Sequence, residues 1–260
     1  MAARVSAGLL SALVALAPMA RPGAAAIVEV PADQPTIQLG IMSAAAGDTV
    51  LVAQGTYSEQ VDFLGKPIVV GSWYLITGDP EYSSTTILDG GGTLGPLASF
   101  TSGEDSLSVL SGLTLRNGRA TEGGGIRCRG ASPRIAGCIL QSNEATYMGG
   151  GLLAWQGSPL IEGCRFEGNA SASSSGGGLA VWQGSPRILD SVLVGNTANV
   201  SGGAIFIEES APIICDNVID GNEALGSYAG GIMSRNSTPV IARNVISDNH
   251  TNSGGGGVFY

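Results

Sequence analysis

Residues 158–179 read SPLIEGCRFEGNASASSSGGGL: a small residue and a proline, an apolar residue two positions on, an asparagine ten positions on, then a glycine cluster. The same phrase recurs around Pro133, Pro159, Pro186, Pro212 and Pro239, at spacings of 26, 27, 26 and 27. Each proline is followed ten residues later by Asn143, Asn169, Asn196, Asn222 or Asn249. A fixed period of this length outranks local propensity, because it means one structural unit stacked many times. A looser unit precedes them, through Leu113, Leu115 and Gly118 to Gly123.

Within each unit the apolar residues alternate with period two, as strands require. Ile135, Ile161, Ile188, Ile214 and Ile241 follow the prolines; Leu140, Phe166, Leu193, Ile219 and Ile246 come five residues later; Ile126, Leu152, Leu179, Ile205 and Ile232 follow the glycines. Three short strands per turn describe a right-handed parallel β-helix, an all-β solenoid of about 26 residues per coil. A helical solenoid of similar period would need 3.6-residue spacing, and 41 glycines in 260 residues, about twice the usual share, argue against helices. The asparagine column suits a turn near the left-handed region, and its stacked amides would form a hydrogen-bonded ladder. The functional alternative is glycosylation, since Asn169, Asn236 and Asn249 stand in N-x-S/T patterns.

Working outward, Met1 to Ala26 carry a positive charge, a short apolar run (VSAGLLSALVALA, residues 5–17), Pro18 and an A-x-A-like site, the marks of a signal peptide. The chain is therefore expected to be secreted or to reach the cell surface or outer membrane. Residues 27–47 form an N-terminal cap segment, in which residues 35–46 make a short helix capped by Thr36, with Ile37, Ile41 and Met42 on one face. Residues 48–260 are the β-helix domain, with its first strand at Thr49 to Ala53 and room for roughly eight coils. The chain stops at Val258-Phe259-Tyr260, where a new coil begins, which is expected of a domain truncated at its C-terminus and continued by a further region.

The segment VPADQPTIQLGIMSAAAGDTVLVAQGTYSEQVDF (residues 30–63) resembles the N-terminal coils of bacterial right-handed β-helix repeat proteins of pectate-lyase-like fold. The later coils resemble the chlamydial polymorphic outer-membrane protein repeats, whose GGAI and FxxN motifs are similar to Gly202-Gly203-Ala204-Ile205 and Phe166-Glu167-Gly168-Asn169. The resemblance covers Val30 to the end. It implies the fold; for function it spans lyases, glycosidases and adhesins.

Enzymes of this resemblance use clustered acids for Ca²⁺ or groups of aspartates with a histidine. The nearest candidate for a Ca²⁺ site is Asp190 and Asp216 on successive coils, with Glu162 one residue short of that column. These are also ordinary turn residues. The single histidine, His250, lies in a turn beside Asn249, and no paired carboxylates have spacing suited to acid–base work. No catalytic residue, metal ligand or cofactor is assigned. Of four cysteines, Cys138 and Cys164 share an inward column, where stacked thiols and a disulfide are both conceivable; Cys128 and Cys215 stand elsewhere. The formal charge of −9 argues against a nucleic-acid partner, and no stretch is long enough for a transmembrane helix.

One surface stands out. Alternation turns outward a column of Arg129, Trp155, Trp182, Glu208 and Arg235, beside a second outward column of Arg127, Leu153, Ala180, Phe206 and Met233. Two of three tryptophans would then stack in water, and flat indoles flanked by charges suit sugar rings or a protein partner. AWQGSP and VWQGSP also read as one duplicated coil, which leaves the second tryptophan open to a purely inherited origin. Two functions follow: a surface-displayed binding or adhesin-like module contacting polysaccharide or a cell surface, or a polysaccharide lyase or glycoside hydrolase.

Overall fold

The computed structural model describes residues 24–226 and 228–260; most of the signal-peptide segment lies outside the described residues. The described chain winds as a solenoid in which each strand pairs in parallel with its equivalents on adjacent coils, the end strands of each sheet on one side only. Nine strands, from Ile27–Val30 to Val240–Ala242, build the first sheet; eight, from Gly55–Tyr57 to Val245–Ser247, build the second; eight, from Val61–Asp62 to Val258–Phe259, line the side that carries the tryptophans. From Thr49–Val52 onward the first sheet holds eight strands, matching the expected coil count.

Two expectations are corrected. The solenoid starts one strand earlier than Thr49, because Ile27–Val30 pairs in parallel with Thr49–Val52. Most coils also have four strands rather than three. A further six-stranded sheet runs from Arg119–Glu122 to His250–Thr251, immediately after the asparagines. Its strands are mostly two residues long, with a single buried small side chain such as Ala198 or Ala224, too short for alternation to show.

The interior is a stack of columns. The three expected isoleucine and leucine columns are fully buried, with Phe63, Phe100 and Phe166 the largest core residues. In the last coil Ile241 and Ile246 are only partly buried. The glycine cluster is required by close approach: a Cβ on Gly177 would lie 2.3 Å from the carbonyl oxygen of Thr197 and 2.6 Å from that of Gly203, so any side chain there would push coils apart.

The asparagine ladder forms as expected, but the left-handed backbone falls one residue earlier. Ser142, Gly168, Gly195, Gly221 and Asp248 take positive φ, and the asparagine that follows turns its amide inward. Asn169 Nδ2 donates to the Asn196 Oδ1 at 2.9 Å, and the Asn169 backbone N–H donates to that same oxygen at 3.0 Å. Asn169 Nδ2 also donates to the Leu140 carbonyl at 2.9 Å. The pattern repeats from Asn143 to Asn249, so each interior amide is saturated by protein groups. Burial of Asn169 at 0% exposure leaves its side chain no room for a glycan.

A second, unexpected ladder occupies the turn between the first two sheets. Asn217 Nδ2 donates to Asn244 Oδ1 at 2.9 Å, and Ser191 N–H donates to Asn217 Oδ1 at 2.9 Å. Its lower members are Cys164 and Cys138, the cysteine column seen in the sequence.

The cap helix α1, Ile37–Ser43, closes the N-terminal end of the core with Ile37, Gly40 and Ile41 buried. Met42 is 58% exposed and does not share that face. Thr36 Oγ1 accepts from Leu39 N–H, as expected, and Glu59 accepts from the N–H groups of Ile37 and Gln38. At the other end Lys66, the only lysine in the chain, donates to the carbonyls of Ile41, Met42 and Ala44 at 2.7, 2.7 and 2.8 Å. Charges of opposite sign thus sit at the helix ends where the backbone dipole favours them. Two further short helices, α2 (Tyr74–Thr77) and α3 (Pro80–Thr85), are inserted between coils. No described helix is long and apolar enough to cross a membrane.

Removing a buried amide from mid-ladder strands several partners at once, each worth about 1–3 kcal/mol. Asn196→Ala is expected to lower the stability of its coils by about 3–5 kcal/mol in hydrogen-exchange measurements, with Asn249→Ala at the final coil costing clearly less. Lys66→Met is expected to speed amide exchange in α1, by about 1–2 kcal/mol of local opening energy, leaving the later coils unaffected.

Candidate functional site

The tryptophan column forms in register: Arg129 opposes Trp155, Trp155 opposes Trp182, Trp182 opposes Glu208, and Glu208 opposes Arg235. The indoles stack with ring centroids 5.1 Å apart and planes 9° from parallel, and the Arg129 guanidinium lies 3.9 Å from the Trp155 ring centroid. Arg235 is ion-paired to Glu208, and that hydrogen bond pushes the guanidinium's pKa up.

The indoles stack as the register implies, but they do not stand in open water. Stacking along the solenoid axis turns their faces toward one another, so Trp155 is covered on one face by Arg129 and on the other by Trp182. Both tryptophans are only part-exposed. The neighbouring column, outward from the core, is itself buried: Leu153 and Ala180 are at 0% exposure, Phe206 at 6% and Met233 at 8%. With Met148 and Ala229 they form a second apolar cluster outside the sheet, against which Trp155, Trp182 and Phe259 pack. The extra sheet explains this: its strand Glu144–Met148 is the longest of the six, and Met148 joins the cluster as its cover. Period-two alternation sees which way a side chain points from its own strand, but not what folds over it.

What remains open is a cleft of about 350 Å³ beside this cluster. Trp182, Phe206 and Met233 line it from the sheet, Tyr147 and Tyr228 from the overhanging segments, and Glu208 and Arg235 stand at its charged side. Tyr228 and Phe259 rings meet at 4.6 Å across the neighbouring coil. The indole N–H groups of Trp155 and Trp182 are buried without an acceptor, a polar cost of about 1–3 kcal/mol each that an ordinary core would avoid. Tyr147 and Tyr228 were missed in the sequence, since both fall outside the repeated phrase.

Two of the three acids considered for Ca²⁺ are held by arginines. Asp216 is paired to Arg243, whose hydrogen bond lowers its pKa, and Glu162 is paired to Arg134. Asp190 carries the left-handed turn backbone. Among the described residues no three acids, histidines or cysteines gather where a metal ion could be held. His250 lies in the extra sheet opposite Glu223, rather than in a turn, and is exposed.

A family model for the right-handed beta helix region matches residues 101–260. The chain belongs to the right-handed β-helix family. The match begins ahead of the looser unit at Leu113 and spans both tryptophan coils. No curated protein and no solved structure matches the chain.

The β-helix keeps its four cysteines as free, buried thiols. Burial pushes the Cys128 thiol well up, and a hydrogen bond with Cys138 together with burial does the same at Cys164. The native β-helix is therefore expected to react with a neutral thiol reagent only as fast as it opens, all four groups becoming reactive at once in denaturant. Rapid labelling of the folded protein at neutral pH would contradict this.

Proposed function

We propose that this β-helix is an exported, non-catalytic binding module that takes a saccharide of a polysaccharide or cell surface in the Trp182 cleft. The observation carrying this reading is the cleft itself: an aromatic and thioether wall from Trp182, Phe206 and Met233, facing tyrosine hydroxyls, serines and one charged pair. A sugar has an apolar C–H face and a rim of hydroxyls, and small-ligand sites combine these same two kinds of lining. Trp182 retains one face not covered by another indole, so the contact is made at that end of the stack rather than along the whole column. Arg129 and Trp155 then support Trp182 from below, while Glu208 and Arg235 border the ligand.

The hydrolase or lyase reading needs a free acid–base pair or a metal-binding cluster, and two of the three candidate acids, Glu162 and Asp216, are held by arginines. Ca²⁺-dependent release of unsaturated products from acidic polysaccharides, read by ultraviolet absorbance, would overturn the non-catalytic assignment.

On a glycan array, Trp182→Ala is expected to reduce binding by at least about tenfold, the equivalent of 1.4 kcal/mol. Tyr147→Ala, at an exposed rim position, should weaken binding while leaving the circular dichroism spectrum unchanged. The exposed Trp73→Ala, far from the cleft in sequence and on another face, serves as the neutral comparison. Parental binding by both cleft variants would remove the site.

A further inference from the structure

A second pocket, of about 520 Å³, is lined by Arg119, Thr121, Arg127, Glu144, Thr146 and the exposed Leu94. Arg127 stands in the outward column that continues as Leu153, Ala180 and Phe206, so it is fixed to a strand paired on both sides. Its neighbours in that column, Ser99 and Leu153, carry no charge. Six other arginines, Arg116, Arg119, Arg134, Arg165, Arg235 and Arg243, each have a carboxylate partner. Arg127 has none among the described residues, in a chain of net charge −9, and its Nε is buried without an acceptor.

An unpaired, partly desolvated guanidinium is an expensive arrangement unless an anion completes it. The planar N–H fork is shaped for two oxygens of one oxyanion. We propose that this pocket binds a singly charged oxyanion group, a carboxylate or a sulfate ester, on Arg127. The charge balance sets the valence. Arg119 and Glu144 neutralise one another at 2.9 Å, leaving Arg127 as the one uncompensated charge. A monoanion cancels it, whereas a dianion sets its second charge against Glu144. Thr121 and Thr146 are exposed at the same pocket and offer hydroxyl donors to the remaining oxygen lone pairs. The proposal stands independently of the aromatic cleft.

The test follows the Arg127 Nε–H resonance by ¹⁵N NMR during titration of the full chain with acetate and with methyl sulfate. Acetamide and the phosphate dianion are comparators. The expected result is a saturable movement of the Arg127 resonance with a monoanion, a weaker response to phosphate and none to acetamide. Arg187, exposed and without an ion pair, should not saturate with it. In Arg127→Lys, which keeps the charge but loses the fork, the apparent dissociation constant read at the Thr121 and Thr146 amides should rise at least about tenfold. Absence of saturation with both monoanions, an equal response at Arg187, or unchanged affinity in the lysine variant would each overturn the site. Response to acetate alone would identify a carboxylate ligand, and to methyl sulfate alone a sulfate ester; either supports it.

Discussion

Hydrogen-bond saturation between identical positions on successive coils is the constraint on which the molecule rests. A solenoid with a core only a few side chains wide must bend its backbone several times per turn, and every bend exposes amide groups to an apolar interior. Asn143, Asn169, Asn196, Asn222 and Asn249 resolve this at one corner, and Asn217 and Asn244 begin to do so at another. Within each ladder a side-chain oxygen accepts from the backbone of the coil before it and, wherever that coil also carries an asparagine, from its side chain. A ladder of this kind works only if its members lie directly over one another, so it fixes the register of everything between them.

Register in turn makes the surface. A one-residue slip in a strand would send its outward residues into the core, so the column Arg129–Trp155–Trp182–Glu208–Arg235 is a consequence of the ladder rather than a separate achievement. The same holds for Arg127, set beside that column on the same strand. Function in such a fold is expected to ride on outward columns and on whatever overhangs them, because the inward ones are committed to packing.

The candidate sites lie where local consistency is broken. Two buried indole N–H groups lack acceptors, and the buried Nε of Arg127 lacks one too, beside asparagine ladders that satisfy their amides coil after coil. These three groups all belong to the sheet that carries the tryptophans, whereas the unsatisfied hydroxyls of Ser83 and Thr86 lie elsewhere. On the opposite faces Arg134 and Arg243 pair with carboxylates from adjacent coils, which is solvated surface chemistry worth little on its own.

The sequence by itself determined the period, the identity of the stacked positions, the cap helix with Thr36 at its start and the two outward columns. All of these follow from spacing along the chain, since in-register coils turn an interval of 26 or 27 residues directly into a spatial neighbour. Only the tertiary structure decided that Ile27–Val30 already belongs to the first sheet, that the positive φ falls on the residue before each asparagine, and that the second outward column is buried. It also decided that the stacked indoles are partly covered and leave a cleft at Trp182. The reason is physical: alternation gives the direction of a side chain from its own strand. Burial and ring orientation depend on Met148, Tyr147 and Tyr228, which come from segments outside the repeated phrase and meet the column only when the chain has folded.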